Sequence, residues 1–175
     1  MEKINELNVN FDFEIHLMVD NPLLEIDKWK EIKNLKRIIF HIESKDDPNK
    51  VIAKIRASCF QAGIAINPDT PIEKITPYAD KVDEILFMTV YPGKQGAKFL
   101  PQIGEKIISL RGTSRREENT NHPLIAVDGG ISKNTIKTAC DWGVEVFCVG
   151  SALIKSKDLK QAFNELKTAA VDERD

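Results

Sequence analysis

Leu124-Ile125-Ala126-Val127-Asp128-Gly129-Gly130 is a hydrophobic run that ends in a carboxylate and two glycines, with a helical pattern opening at Ser132. In a barrel of alternating strands and helices, the C-terminal ends of the strands carry the chemistry. A carboxylate there can bind a metal or move a proton, and glycines there let backbone N–H groups approach a phosphate. About twenty residues later the pattern recurs, as Val146-Phe147-Cys148-Val149 runs into Gly150-Ser151. Two successive strands ending in small, open turns point to a phosphorylated substrate.

Outward from this stretch, strand-like and helix-like segments alternate along the chain. Residues 11–19 read as a strand ending at His16-Leu17-Met18-Val19. Pro22 opens a helix whose Leu23, Leu24, Ile26, Trp29, Ile32 and Leu35 follow a helical period. Arg37-Ile38-Ile39-Phe40-His41-Ile42 is an apolar strand. Asp47-Pro48 starts a helix through Val51, Ile52, Ile55 and Phe60, which Gly63 is expected to stop. Ile64-Ala65-Ile66-Asn67-Pro68 is a short strand, and a brief helix around 71–78 leads to the strand Glu84-Ile85-Leu86-Phe87-Met88-Thr89-Val90. A loop at 91–97 precedes a helix from about 100 to 110, with Ile103, Ile107 and Ile108 on one face. Residues 112–122 are polar and aperiodic and read as an exposed loop, with His122 at the surface. After the two strands that open this section comes an amphipathic helix marked by Leu159, Phe163 and Leu166, and a fraying end at 171–175. Trp29 and Trp142 sit at helical positions and read as packing against strands.

Six strands in strict alternation with helices argue a parallel sheet with right-handed crossovers. Each unit takes about 27 residues, the size of a β/α unit in a TIM-type barrel of eight. The expected fold is therefore α/β, a (β/α)8-type barrel with about six of its eight units, in one domain over residues 1–175.

The composition, 42% hydrophobic and 30% charged, is that of a soluble globular protein. A net charge of -2 gives no reason to expect nucleic acid or an anionic membrane as partner. No apolar run approaches the roughly 20 residues of a transmembrane helix, and residues 1–6 lack the apolar core of a signal peptide. Cys59, Cys140 and Cys148 form no CxxC and read as buried, reduced thiols, so a cytoplasmic protein is expected.

Six motifs, in order, are similar to those of the ribulose-phosphate 3-epimerases. Glu14-Ile15-His16-Leu17-Met18-Val19 resembles that family's D-x-H-L-M-V strand, and Phe40-His41-Ile42-Glu43 its F-H-x-E. Gly63-Ile64-Ala65-Ile66-Asn67-Pro68-Asp69-Thr70-Pro71 matches G-x-A-x-N-P-x-T-P. Met88-Thr89-Val90-Tyr91-Pro92-Gly93, with Phe99, follows M-S/T-V-x-P-G-F-G-G-Q-x-F. Val127-Asp128-Gly129-Gly130 and Gly150-Ser151-Ala152 match V-D-G-G and G-S-A. The resemblance spans roughly residues 11–167.

It implies a phosphate-binding barrel that interconverts D-ribulose 5-phosphate and D-xylulose 5-phosphate through an enediolate. It also implies a divalent metal (zinc, iron, manganese or cobalt) and two aspartates acting as acid and base on opposite faces. A metal on the developing oxyanion stabilises an enediolate, and inversion needs a base on one face and an acid on the other. Carried over residue by residue, His16 would be a metal ligand through its neutral imidazole and would lie at the substrate. Asp128 would be a metal ligand and one acid/base group. Gly93, Lys94, Gln95, Gly96, Gly129, Gly130, Gly150 and Ser151 would surround the phosphate and substrate, and Met18 and Met88 would line the pocket beside the enediolate.

The sequence departs from the family in two places. The strand motif H-x-D-x-M-D-G, which supplies two further ligands and the second acid/base aspartate, is absent from the 175 residues. Of four ligands only His16 and Asp128 remain, where three are usual for a catalytic zinc. The reading is therefore of an N-terminally truncated epimerase, with open sheet edges that could self-associate into a homo-oligomer. The alternatives are a phosphosugar-binding remnant without turnover, or an epimerase of a related ketose phosphate such as allulose 6-phosphate. In the phosphate loop, Pro92-Gly93-Lys94-Gln95-Gly96-Ala97 replaces P-G-F-G-G-Q. Lys94 there either adds a charge toward a phosphate or is a solvated loop residue. A barrel aldolase or decarboxylase would want a lysine at a strand end, but the strand-end residues are His16, His41, Asn67, Thr89 and Asp128.

Overall fold

The computed structural model describes residues 10–93, 97–114 and 122–171, apart from the side chains of 113 and 114. Six strands form one parallel sheet in sequence order: β1 (Phe13–Leu17), β2 (Leu35–His41), β3 (Gln61–Ile66), β4 (Glu84–Met88), β5 (Leu124–Asp128) and β6 (Val146–Cys148). Between them run α1 (Pro22–Glu25), α2 (Pro48–Ala57), α3 (Ile103–Ser114) and α4 (Ile136–Asp141), followed after β6 by α5 (Ser151–Ile154) and α6 (Leu159–Val171).

The strand sequences are nearly continuous apolar runs because both faces of the sheet are covered. Alternate residues divide the two faces. Ile38, Phe40, Ile64, Ile66, Ile85, Phe87, Ile125 and Val127 enter the main core with α2 and α3, through Val51, Ile55, Ile103 and Ile107. On the opposite face Ile39, Ala65, Leu86 and Ala126 form a separate small cluster with Val146 and Cys148. Truncating one of the fully buried residues, such as Ile64, costs about 2–5 kcal/mol.

That inner cluster is the filling of a curled sheet. β1 and β5 are four strand spacings apart, about 19 Å across a flat sheet. His16 of β1 and Asp128 of β5 nevertheless approach to 3.6 Å on the inner face. The sheet is thus bent into a half-barrel, as the alternation of elements predicts. Below the inner cluster, at the N-terminal ends of the strands, Arg37 ion-pairs with Glu14 and Glu84 and donates to Gln61 Oε1 at 2.7 Å.

Several local expectations need correction. The helix after Pro22 does not reach Leu35: α1 has four residues, a 3-10 turn covers Ile26–Trp29, and Leu35 is the first residue of β2. Asn34, at φ 60°, makes the break. Gly63 does not stop α2, which ends at Ala57 and turns through Cys59 at φ 63°. Gly63 lies inside β3, where a Cβ would sit 2.7 Å from Ile39 Cγ1, so the close inner packing requires glycine. Cys59 is exposed, and Cys140 and Cys148 are partly rather than fully buried. The expected helix at 71–78 is two 3-10 turns, Ile72–Lys74 and Thr76–Tyr78. The helix expected to end near 110 continues to Ser114, so residues 112–114 belong to α3 rather than to a loop.

Candidate active site at the C-terminal rim

The parallel strands bring their C-terminal ends to one rim. Asp128, His41, Met88 and Cys148 are the last residues of β5, β2, β4 and β6, and His16 is the last but one of β1. Asp128 pairs in register with Met88 on one side and Cys148 on the other. The glycine-rich turns after β5 and β6 therefore lie side by side.

Thr89 builds the turn after β5. Its N–H donates to the Asp128 carbonyl at 2.8 Å, and its buried hydroxyl lies 3.0 Å from that carbonyl and 2.6 Å from the Gly129 carbonyl. Gly129, at φ 117°, would place a Cβ 2.3 Å from Val90 Cγ2, so no other residue fits there unstrained. Gly130 follows at φ 67°, and its carbonyl accepts the Thr135 hydroxyl at 2.8 Å. Thr135, not Ser132 as expected, precedes α4, and its Oγ1 accepts the Ser132 N–H at 2.9 Å. At the neighbouring turn, the space where Gly150 would carry a Cβ is open. Ser151 begins α5, which leaves its first N–H groups outside the helix's own hydrogen bonds.

Four side chains make a continuous line across the rim. His16 Nδ1 is 3.6 Å from Asp128 Oδ2, too long for a hydrogen bond. His16 Nε2 lies 2.8 Å from His41 Nε2. The two rings are within 16° of parallel with centroids 4.8 Å apart. The nitrogens are nearer than stacked ring faces can approach, so the contact is a hydrogen bond between ring edges. His41 Nδ1 is 3.0 Å from Glu43 Oε2, and Glu43 Oε1 accepts the Asn67 N–H at 2.9 Å. Burial pushes the Glu43 carboxyl upward, but hydrogen bonds from His41, Thr70 and Asn67 outweigh it and hold the group at about 2. Cys148 is the converse case: burial, then the Asp128 carboxylate, push its thiol to about 12, so it stands beside the site as a neutral thiol.

The remaining expected residues are placed as follows. Met18 is exposed and borders a cleft of about 200 Å³ with Asp20, His41, Glu43, Ser44 and Asn67. Met88 is buried at the rim, in register with Asp128. Gly93 is exposed, at φ 91°. Lys94, Gln95 and Gly96 lie outside the described residues. The structure brings His16, Met88, Asp128, Gly129 and Gly130 to one rim beside Gly150 and Ser151. Glu43 and Thr89 carry no site role in the sequence reading, and His41 reads there as either a substrate contact or a core histidine paired with Glu43 or a neighbour. The spacing of His41 and Glu43, two residues apart at a strand end and so on one face, was the available signal.

The sequence pattern of the ribulose-phosphate 3 epimerase family matches residues 1–154. The chain belongs to this family. It is 36% identical over 172 residues to the ribulose-phosphate 3-epimerase of Methanocaldococcus jannaschii, covering 98% of the chain and 70% of that protein. It is 34% identical over 160 residues to that of Mycobacterium tuberculosis, covering 90% and 67%. Among solved structures, the 3-hexulose-6-phosphate synthase of Salmonella typhimurium superposes with a TM-score of 0.66 at 17% identity, over 87% of the chain and 69% of that one. The tryptophan synthase alpha-subunit of Pyrococcus furiosus gives 0.59 at 16%, over 90% and 64%. These two likenesses establish the barrel fold alone. Membership makes the protein an isomerase of the epimerase class.

Ribulose-phosphate 3-epimerases are generally metal-dependent. His16 Nδ1 and Asp128 Oδ2 face each other across a gap, one nitrogen and one carboxylate oxygen, which suit a divalent first-row ion in kind. Among the described residues no group of three or more His, Cys, Asp or Glu side chains is gathered for a metal. Two side chains are fewer than the three protein ligands usual for a catalytic zinc. No helix among the described residues is long and apolar enough to cross a membrane.

Proposed function

We propose that the rim binds D-ribulose 5-phosphate and that Asp128 transfers the proton at C3, the step that leads to D-xylulose 5-phosphate. The observation that carries this is Asp128 itself: a part-exposed carboxylate at a strand end, followed by the Gly129-Gly130 turn, beside the turn that carries Gly150, and facing His16. On this reading Gly129, Gly130, Gly150 and Ser151 receive the phosphate through backbone N–H groups. Asp128 takes the C3 proton from one face, and the D-xylulose configuration follows only when a second group delivers a proton to the opposite face. Thr89 fixes the backbone of Asp128, so the carboxylate meets C3 in a set orientation. His16 and Asp128 would hold a divalent cation, which supplies stabilisation of the negative charge that develops on the substrate's oxygens. Self-association through the sheet edges belongs to the same proposal.

A second reading, a phosphosugar-binding protein without turnover, is favoured by the lack of any group of three or more metal donors among the described residues. The experiment that separates the two is proton NMR of ribulose 5-phosphate in D2O with the 175-residue chain and Co2+. Loss of the C3 proton signal supports Asp128 chemistry, and exchange without xylulose 5-phosphate is expected where only one face is served. Binding of the sugar phosphate with no exchange establishes the second reading instead.

A further inference from the structure

We propose that the cleft beside the rim is a hydroxyl subsite, in which Ser44 and Asn67 receive the unphosphorylated hydroxymethyl end of the ketose phosphate and fix which way round it binds. The proposal rests on the reading of the turns after β5 and β6 as the phosphate site, and names the residues that read the other end of the same molecule.

The cleft of about 200 Å³ lies on the opposite side of the rim from those turns, chiefly among the segments that follow β1, β2 and β3. It adjoins the Asp128 site through two rings. His41 lines the cleft and lies 2.8 Å from His16, which faces Asp128. A ketose with its phosphate at Gly129 and Gly150 and its C3 at Asp128 runs its C2 and C1 away from the phosphate, toward this cleft.

Two oxygens in the cleft wall call for such a group. Ser44 Oγ and Asn67 Oδ1 are shielded from solvent and have no hydrogen-bond partner among the described residues. Buried polar atoms are nearly always partnered, and an unmade bond there is costly. Asn67 meets Glu43 through its backbone N–H, which leaves Oδ1 out of that contact. An amide oxygen only accepts, while a serine hydroxyl both donates and accepts. An alcohol can donate to Asn67 Oδ1 and accept from Ser44 Oγ, so one hydroxyl serves both. An ionised phosphate or carboxylate brings Asn67 Oδ1 no hydrogen. Charge agrees with this choice. Glu43, held at about 2, is a carboxylate at the cleft, and Asp20 is a second, already paired with Lys45. Such a wall repels the phosphate end, so the sugar enters in one orientation. Seating the hydroxyl takes turns of the Ser44 and Asn67 side chains, a scale of change common on binding.

The test is isothermal titration calorimetry with D-xylulose 5-phosphate and with 1-deoxy-D-xylulose 5-phosphate, which differ only in the C1 hydroxyl. The unmodified protein should bind the first about tenfold more tightly, the worth of one or two net hydrogen bonds. In Ser44→Ala and Asn67→Ala the affinity for D-xylulose 5-phosphate should fall to that for the deoxy sugar, with the affinity for inorganic phosphate unchanged. Equal binding of the two sugars by the unmodified protein, as when water alone occupies the cleft, overturns the subsite and leaves the phosphate reading standing. A preference that survives in folded Ser44→Ala and Asn67→Ala also overturns it. Binding of neither sugar overturns the phosphate reading and the subsite with it. The comparison on the unmodified protein decides the case even where a variant does not fold.

Discussion

Glu84 meets Arg37 at the closed lower end of the curled sheet, where neither side chain reaches solvent appreciably. Burial raises the Glu84 carboxyl to about 7; Arg37 offsets part of this and Glu14 adds to it. The folded protein therefore holds this proton more tightly than the unfolded chain does. Between about pH 4.5 and 7 the unfolded state has lost the proton and the folded state has not, so stability falls as pH rises through that window. The shift corresponds to on the order of 3 kcal/mol. Urea unfolding from pH 5 to 8 should show this decline in the unmodified protein and a flatter profile in Glu84→Gln. A decline of equal size in Glu84→Gln would assign it to another group.

Asp128→Asn should reduce C3 proton exchange by at least about 10²-fold, the usual contribution of a general base. Its carboxylate is part-exposed, so urea unfolding should change by less than about 1 kcal/mol. Exchange that persists in a folded Asp128→Asn would move the base elsewhere.

Thr89→Val keeps the shape of the side chain and removes the hydroxyl that serves the Asp128 and Gly129 carbonyls. A loss of about 1–2 kcal/mol is expected. Because the same bonds set the turn that carries Asp128, exchange should slow as well. Lower stability with unchanged exchange would show that Thr89 serves the fold alone.

At pH 8 a thiol titrating at about 12 is ionised to roughly one part in ten thousand. Peptide mapping after brief iodoacetamide treatment should find Cys59 alkylated and Cys148 intact. Faster labelling of Cys148 would mean that its surroundings are wetter than the structure has them.

The sheet order was legible because buried strands read as unbroken apolar runs punctuated by glycine, proline and asparagine. The errors have physical causes. Leu35 continues the spacing of Ile32, and only the left-handed Asn34 ends the pattern. Gly63 resembles a helix stop, and its true reason, the side chain of Ile39, is distant in sequence. Asp128 and His16 stand out singly as polar residues at apolar strand ends. Their link through His41 does not. It arises because β1 pairs with β2 in a register that sets His16 against Ile39, two residues short of His41. Such an offset is a property of the pairing, and no local pattern encodes it.

Among the described residues, β1 and β6 each pair on one side only. Between those two strands the sheet curls into a trough. His16 and Asp128 stand on opposite flanks of that trough, so the width of their gap gauges its curvature. A cation gripping both would act as a clasp on the whole sheet, and any strand that docks along either edge would widen or narrow the clasp. With such a cation, ion affinity and edge pairing would be linked equilibria, each shifting the other by the same factor.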